Sequence, residues 1–150
     1  MTGASPLRRR HAGGGPWEKA FGFSRAIRTG DRIIVSGCTA AVDGVVLGQG
    51  DAAAQMRLAL DCALDAITAL GGSLGDVIRT RIYVVNRADC EAVGRVHGER
   101  FADVRPAATM VLVAGLLDKE MLVEVEVEAR AGSAKPHDRP GRSSWGAPRE

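Results

Sequence analysis

Aromatic side chains are scarce in this chain of 150 residues, which holds one Tyr, two Trp and three Phe. Aromatics carry the largest apolar areas, so a small domain with few of them gains by burying a sheet face against further copies of itself. Cysteine is equally sparse. Cys38, Cys62 and Cys90 are odd in number, widely spaced and contain no Cys-x-x-Cys pair. That spacing argues against a disulfide framework and a zinc site, and fits a reducing, cytoplasmic location. Long apolar runs are absent. The longest stretch without a charge, Pro or Gly is Ala107–Ala114, far short of the ~20 residues that span a bilayer, and no apolar segment follows Arg8-Arg9-Arg10 as a secretory signal would require. No membrane partner is expected.

Motifs for nucleotide and metal chemistry are also missing. Gly48-Gln49-Gly50-Asp51 lacks both the Lys-Ser/Thr ending of a phosphate loop and the glycine spacing of a dinucleotide site, so no cofactor is expected. There is no nucleophile elbow. His97 is the only histidine in the central region, with no second ligand at metal spacing, so no metal is expected.

Charge is present but unevenly placed. The totals are 20 Lys+Arg and 18 Asp+Glu. Residues 1–11 hold three Arg and no acid, and residues 130–150 hold five Lys/Arg and two acids. That leaves 12 bases and 16 acids, a net of −4, for residues 12–129. A nucleic-acid protein places its basic face on the folded domain, so nucleic acid is not an expected partner. Residues 1–15 and 132–150, rich in Gly, Ser, Pro and Arg without apolar period, read as flexible basic tails around a domain at 16–131.

The central region alternates strands and helices. Residues 24–28 and 32–36 read as strands joined by Thr29-Gly30-Asp31, and Val42-Asp43-Gly44-Val45 reads as a tight hairpin. Asp51 is placed to cap a helix whose Ala53, Met56, Leu60, Ala63, Ile67 and Leu70 form an apolar stripe. Arg57, Asp61, Asp65 and Thr68 lie on another face, and Gly71-Gly72 ends it. Residues 77–85 alternate, with Ile78, Thr80, Ile82 and Val84 on one side. Asp89 is then expected to cap a helix to about Phe101. Its Gly94 and Gly98 each cost about 1 kcal/mol relative to Ala, which close backbone packing would offset. Residues 108–114 and 122–130 complete the strands, giving an α+β or α/β sandwich with both helices on one sheet face.

The last strand carries the clearest chemistry. Val123, Val125, Val127 and Ala129 point one way and Glu124, Glu126, Glu128 and Arg130 the other. Carboxylates at every second position repel unless wetted or paired. Two readings stand: a wet face with Arg79 and Arg81 as cross-strand partners, or a cleft in which one Glu moves a proton or positions water. His97 likewise reads either as a structural hydrogen-bonder or as a catalyst.

Taken together, Ser24-Arg25-Ala26-Ile27, Gly30-Asp31, Ile33-Ile34-Val35-Ser36-Gly37, Gln55, Gly72 to Asp76-Val77, Phe101, Arg105-Pro106-Ala107-Ala108-Thr109 and Val123-Glu124-Val125-Glu126 form a recognisable pattern. In order and spacing over about residues 16–131 the chain resembles the Rid family (RidA/YjgF/YER057c/UK114, endoribonuclease L-PSP-like). The resemblance implies a chorismate-mutase-like α+β fold, a mixed sheet backed by two helices, assembled as a homotrimer with a site at each cleft between subunits. It implies a cofactor-independent hydrolase that converts reactive imines and enamines to carbonyl compounds and ammonia, with an Arg gripping the substrate carboxylate and a Glu orienting water.

This chain departs from that pattern where the clamp belongs. Ala108 stands at the Arg position, Phe23 where deaminases carry Tyr, Gly94 where they carry Asn and Met110 where Cys is frequent, while Glu124 matches. By position, Glu124 and His97 are the candidate catalytic groups. Arg25, Trp17, Phe23, Ala108 and Met110 are the candidate substrate contacts, with Trp17 as an apolar wall. Three functions follow in order: a deaminase with altered substrate choice, a trimer that binds a small metabolite without turnover, and, well behind, an endoribonuclease.

Overall fold

The computed structural model describes residues 7–134. In chain order its elements are β1 (Arg9–His11), α1 (Pro16–Phe21), β2 (Ala26–Thr29), β3 (Arg32–Cys38), β4 (Ala41–Val42), β5 (Val45–Val46), α2 (Ala52–Ala69), β6 (Val77–Val84), α3 (Cys90–Phe101), β7 (Ala107–Leu112) and β8 (Val123–Arg130). Six strands form one sheet in the order β1-β2-β3-β8-β6-β7. All neighbours are antiparallel except β6 and β7, whose parallel crossover runs through α3, as a parallel connection requires.

Local chemistry accounts for most of this. Asp51 accepts a hydrogen bond from the Ala54 amide at 3.0 Å and so starts α2. The helix ends where Gly71 takes φ +84° and the Gly72 amide returns to the Ile67 carbonyl, a conformation that favours glycine. Asp43 and Gly44, both at positive φ, close the β4–β5 hairpin. The apolar stripe of α2 meets the odd-numbered residues of β8: Met56, Leu60, Ala63 and Ile67 are buried with Val123, Val125, Val127 and Ala129. The expected α+β architecture, a mixed sheet with two helices, is therefore present. Among the described residues no helix covers the opposite sheet face, which carries the glutamates. Among the described residues no helix is long and apolar enough to cross a membrane.

Several expectations need correction. The segment read as a loose tail puts Arg9–His11 into the sheet, His11 opposite Ala26 and Arg9 opposite Arg28. A three-residue polar edge strand pairs through its backbone and leaves no apolar period to read. Residues 1–6 and 135–150 of the expected tails lie outside the described residues, but the Ala134 amide still donates to the Asp76 carboxylate. Ile78 does not share the buried side of Thr80, Ile82 and Val84. A register shift between Val77 and Arg79 against β8 turns Val77 inward and Ile78 out. Asp89 makes no side-chain cap; its carboxylate instead accepts from the Asn86 amide. Finally, α3 makes no close backbone approach through its glycines: a Cβ on Gly94 would reach only the Met110 methyl at 3.8 Å, and one on Gly98 would meet nothing.

Candidate active site

The alternating carboxylates of β8 are sorted by their partners. Glu126 accepts the Tyr83 hydroxyl at 2.7 Å and faces Arg81 at 3.6 Å. Glu128 pairs with Arg32 at 2.7 Å. Wet-face pairing therefore describes these two, with Arg81 a partner as expected but Arg32 in the place expected for Arg79. Glu124 differs: it makes no hydrogen bond or ion pair among the described residues. Burial, reinforced by the neighbouring Glu126 charge, pushes its carboxyl above the usual carboxylate range, against an opposing pull from Arg25.

Glu124 lies over Gly37. A Cβ on Gly37 would overlap the Glu124 carboxylate, so glycine here opens the space that the carboxyl fills. Gly37 belongs to a bulge in β3, between the paired residues Val35 and Cys38. A bulge removes carbonyls from the ladder, and Arg25 satisfies them: its Nη1 donates to the carbonyls of Ser36 and Gly37 and lies 3.5 Å from the Cys38 sulfur. Its guanidinium carbon sits 6.0 Å over the Phe23 ring. Arg25, Phe23 and Glu124 are thus brought to one end of the sheet, with one guanidinium nitrogen of Arg25 already engaged.

Glu18 holds this end in place. Its carboxylate accepts from the backbone amides of Gly13, Gly15 and Arg25 at 2.9–3.1 Å. Burial pushes the Glu18 carboxyl up, but those three amides and the Arg25 charge outweigh it and hold it below the usual range. Trp17 stacks on Phe21 at 5.1 Å with rings 3° from parallel, both largely exposed on α1.

The other candidates lie across the sheet. His97 shares a 2.8 Å hydrogen bond with Thr80 Oγ1 and packs on Phe101 with ring centroids 4.7 Å apart. Burial pushes its imidazole toward the neutral form. Thr80 and Ile82, both buried, stand in register with Ala108 and Met110 on β7, which places those two side chains on the helix-covered side. Glu124 projects from the opposite face, so a single chain does not join His97 to Glu124.

Four contributors were given no role in the sequence reading. Tyr83 stands opposite Glu124 in the β6–β8 ladder, a register no local signal gives. Gly37 and Gln55 entered only as parts of a motif. The buried Gln55 donates to the Gly48 and Glu120 carbonyls and accepts from the Leu122 amide. Glu18 was legible in principle, since a Glu three residues after Gly15 with Pro16 between them is a helix-start signature. Among the described residues no group of three or more His, Cys, Asp or Glu is placed to hold a metal.

Residues 17–131 match the family model described as Endoribonuclease L-PSP. The chain is 45% identical over 125 residues to SCO2049, an uncharacterized protein of Streptomyces coelicolor, a match covering 83% of this chain and 93% of that one. It is 39% identical over 80 residues to the 3-aminoacrylate deaminase RutC of Acinetobacter baylyi, over 53% of this chain and 63% of RutC. Its fold superposes on Rv2704 of Mycobacterium tuberculosis, a member of the YjgF/YER057c/UK114 family, with TM-score 0.76 and 38% identity, over 83% of this chain and 100% of that one.

Proposed function

Because the chain belongs to the Endoribonuclease L-PSP family, we propose that it is a cofactor-independent deaminase of small reactive imines or enamines. It works in the cytoplasm as a homotrimer whose clefts lie between subunits, with residues 16–131 as the family domain. The observation that carries this reading is Glu124, a half-buried carboxylate with no partner among the described residues and a raised proton affinity, placed at an open sheet face. A carboxylate whose proton affinity is raised is a stronger base toward a water molecule held beside it. The RutC relative, a 3-aminoacrylate deaminase, supports the reaction class.

In this mechanism the water oxygen bonds to the imine carbon while Glu124 takes its proton, and the C=N electron pair moves to nitrogen. Nitrogen gains that proton to give the carbinolamine, whose hydroxyl proton then passes to nitrogen as the carbonyl re-forms and the C–N bond breaks, releasing ammonia. Phe23 and Trp17 wall the cleft and Arg25 supplies the nearby positive charge. Ala108 and Met110 enter from the edge strand β7 of a neighbouring copy and His97 from its α3, because a single chain holds them on the other face.

A second reading is favoured by a specific observation: Arg25 spends Nη1 on the bulge carbonyls and Ala108 offers no donor, which suits a trimer that binds a metabolite without turning it over. Hydrolysis of 2-iminobutyrate generated in situ separates the two. Acceleration by wild type that falls by about 10²-fold or more in Glu124→Gln is expected for the deaminase. No acceleration by wild type favours the binding role, and an undiminished Glu124→Gln rate removes Glu124 from the mechanism.

A further inference from the structure

Two apolar features at one end of the sheet stand uncovered among the described residues. The first is a knob. Trp17 and Phe21, one turn apart on α1, stack on each other yet stay 57% and 67% exposed. Between them Glu18 turns inward, and its carboxylate ties α1 to the Gly13, Gly15 and Arg25 amides. The stacked rings therefore stand on a fixed base. The second is a cup. Residues 113–122, between β7 and β8, form with Val85 an open hollow of about 480 Å³, lined by Leu116, Leu117 and Met121 and by Asp118 and Lys119. Hydrogen bonds fix its shape. The Val85, Val113 and Met121 amides donate to the Leu122, Val84 and Asp118 carbonyls at 3.0–3.1 Å, and the Glu120 amide donates to Asp118 Oδ1 at 2.8 Å. Leu117 is 92% exposed on this pinned segment, and Leu112, just before it, is exposed too. Together they make a patch, which marks a surface that another one covers.

The knob and the cup cannot meet within one chain. α1 leads into β2, and the cup joins the ends of β6 and β7. In the sheet β2 and β6 are separated by β3 and β8, about 14 Å at three strand spacings, and β7 lies one spacing further. Matching patches on opposite flanks join identical copies head to tail, and such contacts close into a ring when the rotation allows. The two also match in size and chemistry. The cup falls in the range of ~300–1,000 Å³ that encloses a small ligand, room for a pair of rings. An indole N–H needs an acceptor when it is buried. One Asp118 oxygen is engaged by the Glu120 amide, which leaves the other to accept the N–H of Trp17.

We propose that the Trp17–Phe21 pair of one copy seats in the Leu116–Leu117 cup of the next, and that this head-to-tail contact closes the trimer. The inference rests on the trimer reading above and names the two surfaces that build it. It also accounts for the composition of the cleft. α1 runs directly into Phe23 and Arg25, which lie at the Glu124 end of the sheet, whereas the cup continues from β7, which carries Ala108 and Met110. Seating one in the other brings the edge strand of the next copy toward Glu124. Trp17 then walls the cleft as part of the subunit contact.

The test is analytical ultracentrifugation of the full-length protein at micromolar concentration, with circular dichroism as the check on folding. Wild type should sediment as three chains. Trp17→Ala and Leu117→Asp should each weaken association by about 30-fold or more, as removal of a central anchor does. A double variant, Phe21→Cys with Leu117→Cys, should give dimers and trimers linked between chains on mild oxidation. Those species should vanish on reduction and be missing from either single variant. This reads the contact in the assembled protein even where Trp17→Ala or Leu117→Asp fails to fold. A monomeric wild type would overturn the trimer reading and the seating with it. A trimer that persists in Trp17→Ala and Leu117→Asp, with no linked species from the double variant, leaves the trimer standing and overturns the seating. The cup is then open to a ligand or a different partner.

Discussion

Gly37 and Glu124 compete for one volume. A methyl at Gly37 would overlap the carboxylate, but the displaced atoms are the far end of a flexible side chain, and Gly37 is not among the glycines at positive φ. Gly37→Ala is therefore expected to re-aim Glu124 at little cost in stability. The imine-hydrolysis rate should drop toward that of Glu124→Gln while the thermal midpoint barely moves. His97 gives a separate pH signature. Its folded pKa is pushed below the unfolded value of about 6.5, so the unfolded chain binds the extra proton first as pH falls. Stability should be full above about pH 6.5 and decline below it, and thermal midpoints of His97→Gln across that range should lose this part of the slope. Glu124 was legible as a member of a motif. Its isolation from its two neighbouring glutamates was not, because that depends on Tyr83, Arg81 and Arg32 in other strands. The role of Arg25 was hidden for the same reason: nothing in Ser36-Gly37-Cys38 announces a bulge whose carbonyls need a donor.

Elements with their own period were readable. The stripe of α2 and the alternation of β8 repeat over enough residues to mark which side is buried, and Asp51 and Gly71 mark the ends of α2 by side-chain and backbone chemistry. β1 was not readable, and α1 was marked only by its Gly15-Pro16 to Glu18 start, since three and six residues carry too little periodicity and depend on tertiary partners. For α1 and its approach the tie is Glu18, whose carboxylate accepts from the Gly13, Gly15 and Arg25 amides. Replacing it by Gln removes the charge from three amide contacts, and a loss of about 2 kcal/mol is expected, with hydrogen exchange rising first in residues 9–21. For α3, Gly98 sits in mid-helix over open space, so Gly98→Ala is expected to stabilise the protein by about 0.5–1 kcal/mol in denaturant unfolding. A destabilised Gly98→Ala variant would show that something outside this chain packs there.

At the scale of the molecule, among the described residues one sheet face is covered by helices and the other is not, and Ile34 and Val111 are exposed along with Trp17 and Phe21 on α1. Apolar surface of this kind is expected to be buried by further copies. Light scattering at micromolar concentration should give three times the 15.8 kDa of one chain, and a monomer would contradict both the trimer and a cleft shared between subunits. Sequence reading pointed to the assembly only through scarce aromatics and a family resemblance, because no local pattern encodes what lies across an interface. Within the chain, the start of α2 is joined to the approach to β8 by the Gln55 side-chain amide, whose nitrogen serves two carbonyls and whose oxygen serves one amide. That joint has a chemical lifetime: hydrolysis of the side-chain amide to a carboxylate would exchange two donors for lone pairs pointed at the Gly48 and Glu120 oxygens. Ageing by deamidation at this one buried position would loosen the start of α2 from the entrance to β8, where Glu124 is carried.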